Sequence, residues 1–377
     1  MKNNIPVYIL VFCISIVPVF AQNQGNPITT TVPFLNISPD ARSGAMGDAG
    51  VAISPDVNAM FWNPSKLAFL ENKNSFSLSY SPWMHNIDKD MNLAYAAFAH
   101  KLNDKNAFGL SLNVFNIGNV DVYDDNLTSY GSYRPNEFAF ETTFSRKMGS
   151  DFSLGMALKY IQSGLNSSLF EAGEEVGKVN TLAVGVSLYY TKKVQQFGKD
   201  AIFSFGTYIS NLGPKIGYSY NGSKEFLPAN LKIGAANTWF LDEQNKLTFA
   251  LDLNKLLVPT PPVVDAAGNI IEGKNADRSI VSGIIGSFSD APGGFSEEIK
   301  EIMFSPAIEY WYDNQFALRA GYSYENPEKG HRKYATFGVG YKYRSLDFAV
   351  SYLAANQYKS ALANTLRLSL SLNLNDK

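Results

Sequence analysis

Three histidines, His85, His100 and His331, are the only imidazoles in this chain of 377 residues, so acid–base or nucleophile-activating chemistry would have to start from them. A hydrolase would want a His beside a Ser, oriented by a third polar group. His85 and His331 fall in segments that read as outward loops, and neither has such a partner motif. His100 falls near a tight turn, and all three read as surface histidines. The single cysteine, Cys13, lies in a segment expected to be removed, which leaves no thiol nucleophile and no disulfide in the mature chain. No metal-ligand spacing and no phosphate-binding glycine loop is present, since the glycines track strands and turns. The expectation is a protein without catalytic residues, metal or cofactor.

A different set of charges recurs with regular placement. Glu141, Lys159, Asp252, Glu309, Arg319, Lys342, Asp347 and Arg367 each fall on the polar side of an alternating segment. Their chemistry would be mutual pairing or solvation inside a lumen, in preference to a conduction path. Alternation makes the assignment, because successive side chains of a strand point to opposite faces. Phe152, Leu154, Met156, Leu158 and Tyr160 oppose Ser153, Gly155, Ala157 and Lys159. Leu366, Leu368, Leu370, Leu372 and Leu374 oppose Arg367, Ser369, Ser371 and Asn373. A one-residue slip would turn Arg367 into hydrocarbon, at about 2–4 kcal/mol near the midplane. Gly109, Gly155, Gly185, Gly206, Gly234, Gly321 and Gly338 on the polar sides imply that something needs room inside.

The elements carrying these residues are fourteen strands, over about 72–81, 91–101, 106–116, 136–148, 151–163, 178–192, 200–211, 229–241, 246–255, 301–312, 315–325, 333–343, 346–353 and 364–374. Their connections switch between short and long. Short ones centre on Asp104-Lys105, Gly149-Ser150, 193–199, Asp242–Asn245, Asp313-Asn314 and Arg344-Ser345; long ones cover 82–90, 117–135, 164–177, 212–228, 256–300, 326–332 and 354–363. A soluble β-sandwich shares the alternation but has no reason to keep its tight turns on one side. An outer-membrane barrel does, with tight turns facing the periplasm and long loops outside. The expected fold is all-β: a 14-stranded antiparallel transmembrane barrel, integral to the bacterial outer membrane and in contact with its lipid, with both termini periplasmic.

Composition agrees. Aromatic residues make up 14% of the chain, with 21 Tyr and 26 Phe, and only 18% is charged. Tyr and Phe suit strands and interfacial girdles. A net charge of −2 argues against nucleic-acid binding. Lys2, the apolar stretch Ile5–Phe20 and Val19-Phe20-Ala21 read as a signal peptide over 1–21.

Between the signal and the barrel at 72–377, residues 22–71 lack strand alternation and read as a plug inside the lumen. Small residues from Ala41 to Ala52 allow close backbone approach, and Asp40 is placed to cap a helical turn over 41–46. Arg42 there would seek a lumen carboxylate. Gly44, Met46, Gly47 and Asp48 complete this stretch, and Trp62, Asn63 and Pro64 form a turn after it. For partner contacts, the 256–300 excursion offers Pro259, Pro261 and Pro262 at a stiff start, Ile284 in an apolar run fit for a short helix or for pairing with a partner's strand edge, and Phe295. Tyr123 in 117–135 and Tyr130 beside it are secondary candidates.

Val32-Pro33-Phe34-Leu35-Asn36-Ile37-Ser38-Pro39-Asp40-Ala41-Arg42-Ser43-Gly44-Ala45-Met46-Gly47-Asp48-Ala49-Gly50-Val51-Ala52 and the Trp62-Asn63-Pro64 turn resemble the N-terminal hatch of FadL-like barrels, and more narrowly the PorV family of the type IX secretion system of Bacteroidetes. The resemblance is sharpest over 27–70. It implies a non-enzymatic role: binding the C-terminal signal domain of cargo at a SprA-type translocon and carrying it to an attachment complex containing the PorU sortase-like protease. The broader likeness implies the alternative, a FadL-like channel for hydrophobic small molecules, with an apolar pocket near the hatch and a lateral opening, for which Pro306 marks a strand kink.

Overall fold

A computed structural model describes residues 25–85, 87–123, 128–164, 178–218, 223–355, 362 and 364–375. The expected signal segment 1–21 and the centres of several long loops lie outside these residues. Fourteen strands close into an antiparallel barrel. In chain order they are β1 (Asn74–Pro82), β2 (Asn92–Lys101), β3 (Asn106–Asn116), then, after a small hairpin of β4 (Val120–Tyr123) and β5 (Ser129–Tyr133), β6 (Asn136–Lys147), β7 (Phe152–Ser163), β8 (Val179–Gln196), β9 (Lys199–Leu212), β10 (Asn230–Phe240) and β11 (Lys246–Leu256). A second small hairpin, β12 (Val263–Val264) and β13 (Ile270–Glu272), precedes β14 (Met303–Tyr312), β15 (Phe316–Tyr324), β16 (Lys333–Tyr343), β17 (Leu346–Ala355) and β18 (Thr365–Leu374). Neighbours in sequence pair in space, and β1 closes the ring on β18 with Asn74 opposite Leu374. Closure removes every free edge, which satisfies the backbone in lipid.

The predicted faces hold. Leu78, Met156, Leu318 and Phe337 are more than half exposed on the outside, whereas Ser77, Ser153, Thr336 and Arg367 are buried inside. One strand pair runs further than its sequence suggests. The segment 193–199 reads as a connection, yet β8 continues to Gln196 and turns through Phe197 and Gly198 alone, at φ 54° and 73°. Two successive left-handed residues match the right-handed twist of the flanking strands. The stretch Thr191–Gln196 is polar, so apolar alternation stops before pairing does. At Pro306 the β14–β15 ladder is interrupted between Phe304 and Ala307, the expected consequence of a missing N–H. Ser305 and Ser323 beside the interruption are buried.

Residues 25–70 lie within the barrel and run from its long-loop end to its short-turn end. Gly25–Asn36 sits among the loops, with a 3₁₀ turn at Pro33–Asn36. Next come α1 (Ala41–Gly44) and α2 (Ala59–Trp62), and a 3₁₀ turn at Pro64–Phe69 that leads into β1. Asp40 caps α1 as expected, accepting from Ser43 N at 2.8 Å. The described chain therefore begins at the long-loop end, at Gly25, and finishes at the short-turn end, beyond Leu374. The sequence reading puts both termini in the periplasm; Gly25 and Leu374 lie at opposite ends of the barrel. The physical reason is the filled lumen, which the N-terminal segment crosses from end to end before β1 starts.

Candidate functional site: the filled lumen and the loop cap

The small residues predicted to make room do so, and they encircle the inner segment. A Cβ at Gly109 would meet Met60 and Leu67; at Gly155, the backbone of Ser65; at Gly206, Asn63 and Val51. At Gly234 it would meet Val51, at Gly338 Ala45, and at Gly321 the backbone of Met46 and Gly47, 2.1 Å away. Gly185 differs, facing Tyr208 of the wall.

Arg42 finds its carboxylate in Glu309 of β14. Its Nε and Nη2 donate to the two Glu309 oxygens at 3.0 and 2.8 Å, a bidentate fork. Nη1 reaches Asp56 at 2.8 Å and the Ser54 carbonyl at 3.1 Å. Arg319 of β15 donates to the same Glu309 at 2.7 Å, so one carboxylate at 2% side-chain exposure sits between two guanidiniums. Elsewhere in the lumen Glu141 pairs with Lys159 at 3.0 Å. Glu141 with Lys159 and Glu309 with Arg319 are thus paired within the wall, and Glu309 is joined to the inner segment.

The remaining motif residues each have a wall contact or an internal bond. The Gly44 carbonyl accepts from Arg367 at 3.4 Å. Met46 is fully buried against Ala236, Ala250 and Ala307. Gly47, at φ 64°, donates to Thr336 Oγ1 at 2.8 Å, and a Cβ there would overlap Tyr322. Asp48, also left-handed, accepts from the Tyr334 hydroxyl at 2.5 Å. Trp62 Nε1 donates to Asp40 at 2.6 Å, while Asn63 Nδ2 donates to the carbonyls of Val51 at 3.1 Å and Leu188 at 3.0 Å. Pro64 opens the following 3₁₀ turn, where its missing N–H costs nothing.

Two partners escaped the sequence reading. Asp252 of β11 accepts from the backbone N–H groups of Gly50 and Val51 at 2.7 and 2.8 Å. Lys66, 1% exposed, donates to the Gly50 carbonyl at 2.7 Å. A lone lysine inside the apolar run Phe61–Leu70 was the available signal.

At the long-loop end, the 257–302 connection is an ordered cap. Its helices are α3 (Ile280–Gly286), as the apolar run implied, and α4 (Phe295–Lys300). Lys255 bonds Glu298 and Glu301 at 3.0 and 2.6 Å, Arg278 bonds Asp290 at 3.1 Å, and Lys329 binds Glu297 and Glu301. Of the contact candidates, Phe295 is 80% exposed and Tyr123 56%. Pro261, Pro262 and Ile284 are half-buried. Pro259 is buried and packs near Gly283, so it supports the cap from below and is no contact residue in this conformation. Tyr130 stands in β5, its side chain outside the described set. Val281 and Ile285 of the predicted apolar run are 67% and 69% exposed one helical turn apart, and sequence reasoning missed Ile299, four residues after Phe295.

A cavity of about 70 Å³ beside the inner segment is lined by charged side chains, among them Asp48, Lys232 and Arg332, and by Trp62, Leu256 and Met303.

The family model described as Type IX secretion system protein PorV matches residues 20–263, more than half of the chain. No match is found among curated proteins. Among solved structures, the P. putida toluene transporter TodX is 14% identical, covering 90% of this chain and 99% of that one with a TM-score of 0.52. A TodX deltaS2S3 mutant, a monoaromatic hydrocarbon channel, is also 14% identical over 89% and 99%, at a TM-score of 0.54. At this identity the likeness is one of fold: a closed outer-membrane-type barrel. The fourteen-strand ring, its filled lumen and the family match agree, and the chain belongs to the PorV family of type IX secretion system proteins.

Proposed function

We propose that this protein is a non-enzymatic carrier of the type IX secretion system. It receives the C-terminal signal domain of cargo at a SprA-type translocon and brings it to the attachment complex with its PorU sortase-like protease. In this reading residues 22–71 are a plug, the short turns face the periplasm, and the loop cap faces outward. The observation that carries the proposal is a lumen filled by paired side chains beneath a braced cap. The cap presents Val281, Ile285, Phe295 and Ile299 to solvent. A sealed barrel keeps the membrane intact while it diffuses, and exposed apolar helix faces on a rigid base are the anatomy of a docking surface. The TodX likeness supplies no counter-argument, because it extends to fold alone.

The test is affinity purification from native outer membrane through a tag in the 117–135 loop, comparing the natural chain with an Ile285→Asp/Phe295→Asp variant. Translocon and proteins sharing a C-terminal signal domain are expected with the natural chain, and at least about tenfold less of them with the variant, since losing one hot spot of 2 kcal/mol or more has that effect. A barrel recovered alone and loaded with a hydrophobic molecule would move the assignment to the channel.

A further inference from the structure

We infer that residues 25–31 are held on the outward side of the membrane, as a strap that ties three loops into one platform. The word outward rests on the orientation proposed above. That the strap and the long loops share one end of the barrel rests on contacts alone.

The strap's bonds reach three different loops. Gly25 lies on the backbone of Glu328 in the 325–332 loop, where an added Cβ would be 3.0 Å from the carbonyl oxygen. Asn26 Nδ2 donates to the Pro261 carbonyl of the 257–302 cap at 2.9 Å. Thr31 donates through both N and Oγ1 to the Phe226 carbonyl of the 213–229 loop, each at 3.1 Å. Val32, Phe34 and Leu35 then anchor the strap in an apolar cluster with Trp83, Leu93 and Phe115 at the same end of the wall. The loops also hold one another: Lys215 pairs with Asp277 at 2.9 Å and Lys300 with Glu328 at 2.7 Å. The strap touches all three.

Single cysteines test this. Thr29→Cys, Phe295→Cys and Asn375→Cys are each made on a Cys13→Ser background, and intact cells are treated with a membrane-impermeant maleimide. Thr29 and Phe295 are exposed at the loop end and Asn375 beyond β18. Labelling of Thr29→Cys and Phe295→Cys in intact cells, and of Asn375→Cys only after permeabilisation, is the expected result. Purified protein in detergent serves as the control that the Thr29→Cys thiol is reactive. If Phe295→Cys labels and Thr29→Cys stays silent until permeabilisation, the strap inference is overturned while the orientation stands. If Asn375→Cys labels in place of Phe295→Cys, the proposed orientation is overturned and so is the strap's outward placement; the strap itself survives only if Thr29→Cys behaves as Phe295→Cys does.

Discussion

Glu309 is the residue on which the inner segment and the wall converge. Held by Arg42 and Arg319, it is nearly inaccessible. Glu309→Gln leaves two guanidiniums without their shared counter-charge, which is expected to cost about 3–5 kcal/mol. Urea unfolding of the barrel in detergent should show the loss, and planar-bilayer recordings should show intermittent conductance where the natural chain shows none. That Arg42 needed a lumen carboxylate was legible, because a buried guanidinium must be paired. Which one was not: Arg42 and Glu309 are brought together by the path of an aperiodic segment. The Asp40–Trp62 bond was hidden for the same reason.

The strands themselves were legible almost to the residue, because membrane and lumen impose opposite demands on alternate positions. The β8–β9 hairpin shows where that signal ends. Beyond Tyr190 neither demand applies, and pairing continues unseen to Gln196. Phe197 at its tip is 92% exposed in a left-handed conformation. An aromatic side chain there is disfavoured by about 1–2 kcal/mol, so Phe197→Asn, giving Asn-Gly, is expected to raise the unfolding midpoint slightly. Gly321→Ala should do the reverse. Its Cβ would fall on the backbone of Met46 and Gly47, and overpacking of this kind costs about 1–3 kcal/mol. In the cap, α3 was legible from its apolar run. Which of its sides faces water was not, because that depends on Pro259 and Phe226 packing beneath Gly283.

At the scale of the whole molecule, one segment links the two ends of the barrel. Deleting residues 22–29 leaves the lumen contacts of Arg42, Gly47 and Trp62 in place but removes the Asn26 bond to the cap. Faster amide hydrogen exchange is expected across 257–302, with little change in β1–β18. The strap has a further consequence for how the molecule is made. The seam of the ring joins β1 to β18, the first strand and the last, and the chain ahead of β1 already occupies the space they enclose. Gly47 against Tyr322 and Gly44 against Arg367 leave no clearance for late entry. The expected assembly is a wrapping event, with the earliest residues as the mandrel and the final hairpin locking around them. An empty closed ring would lie off that route.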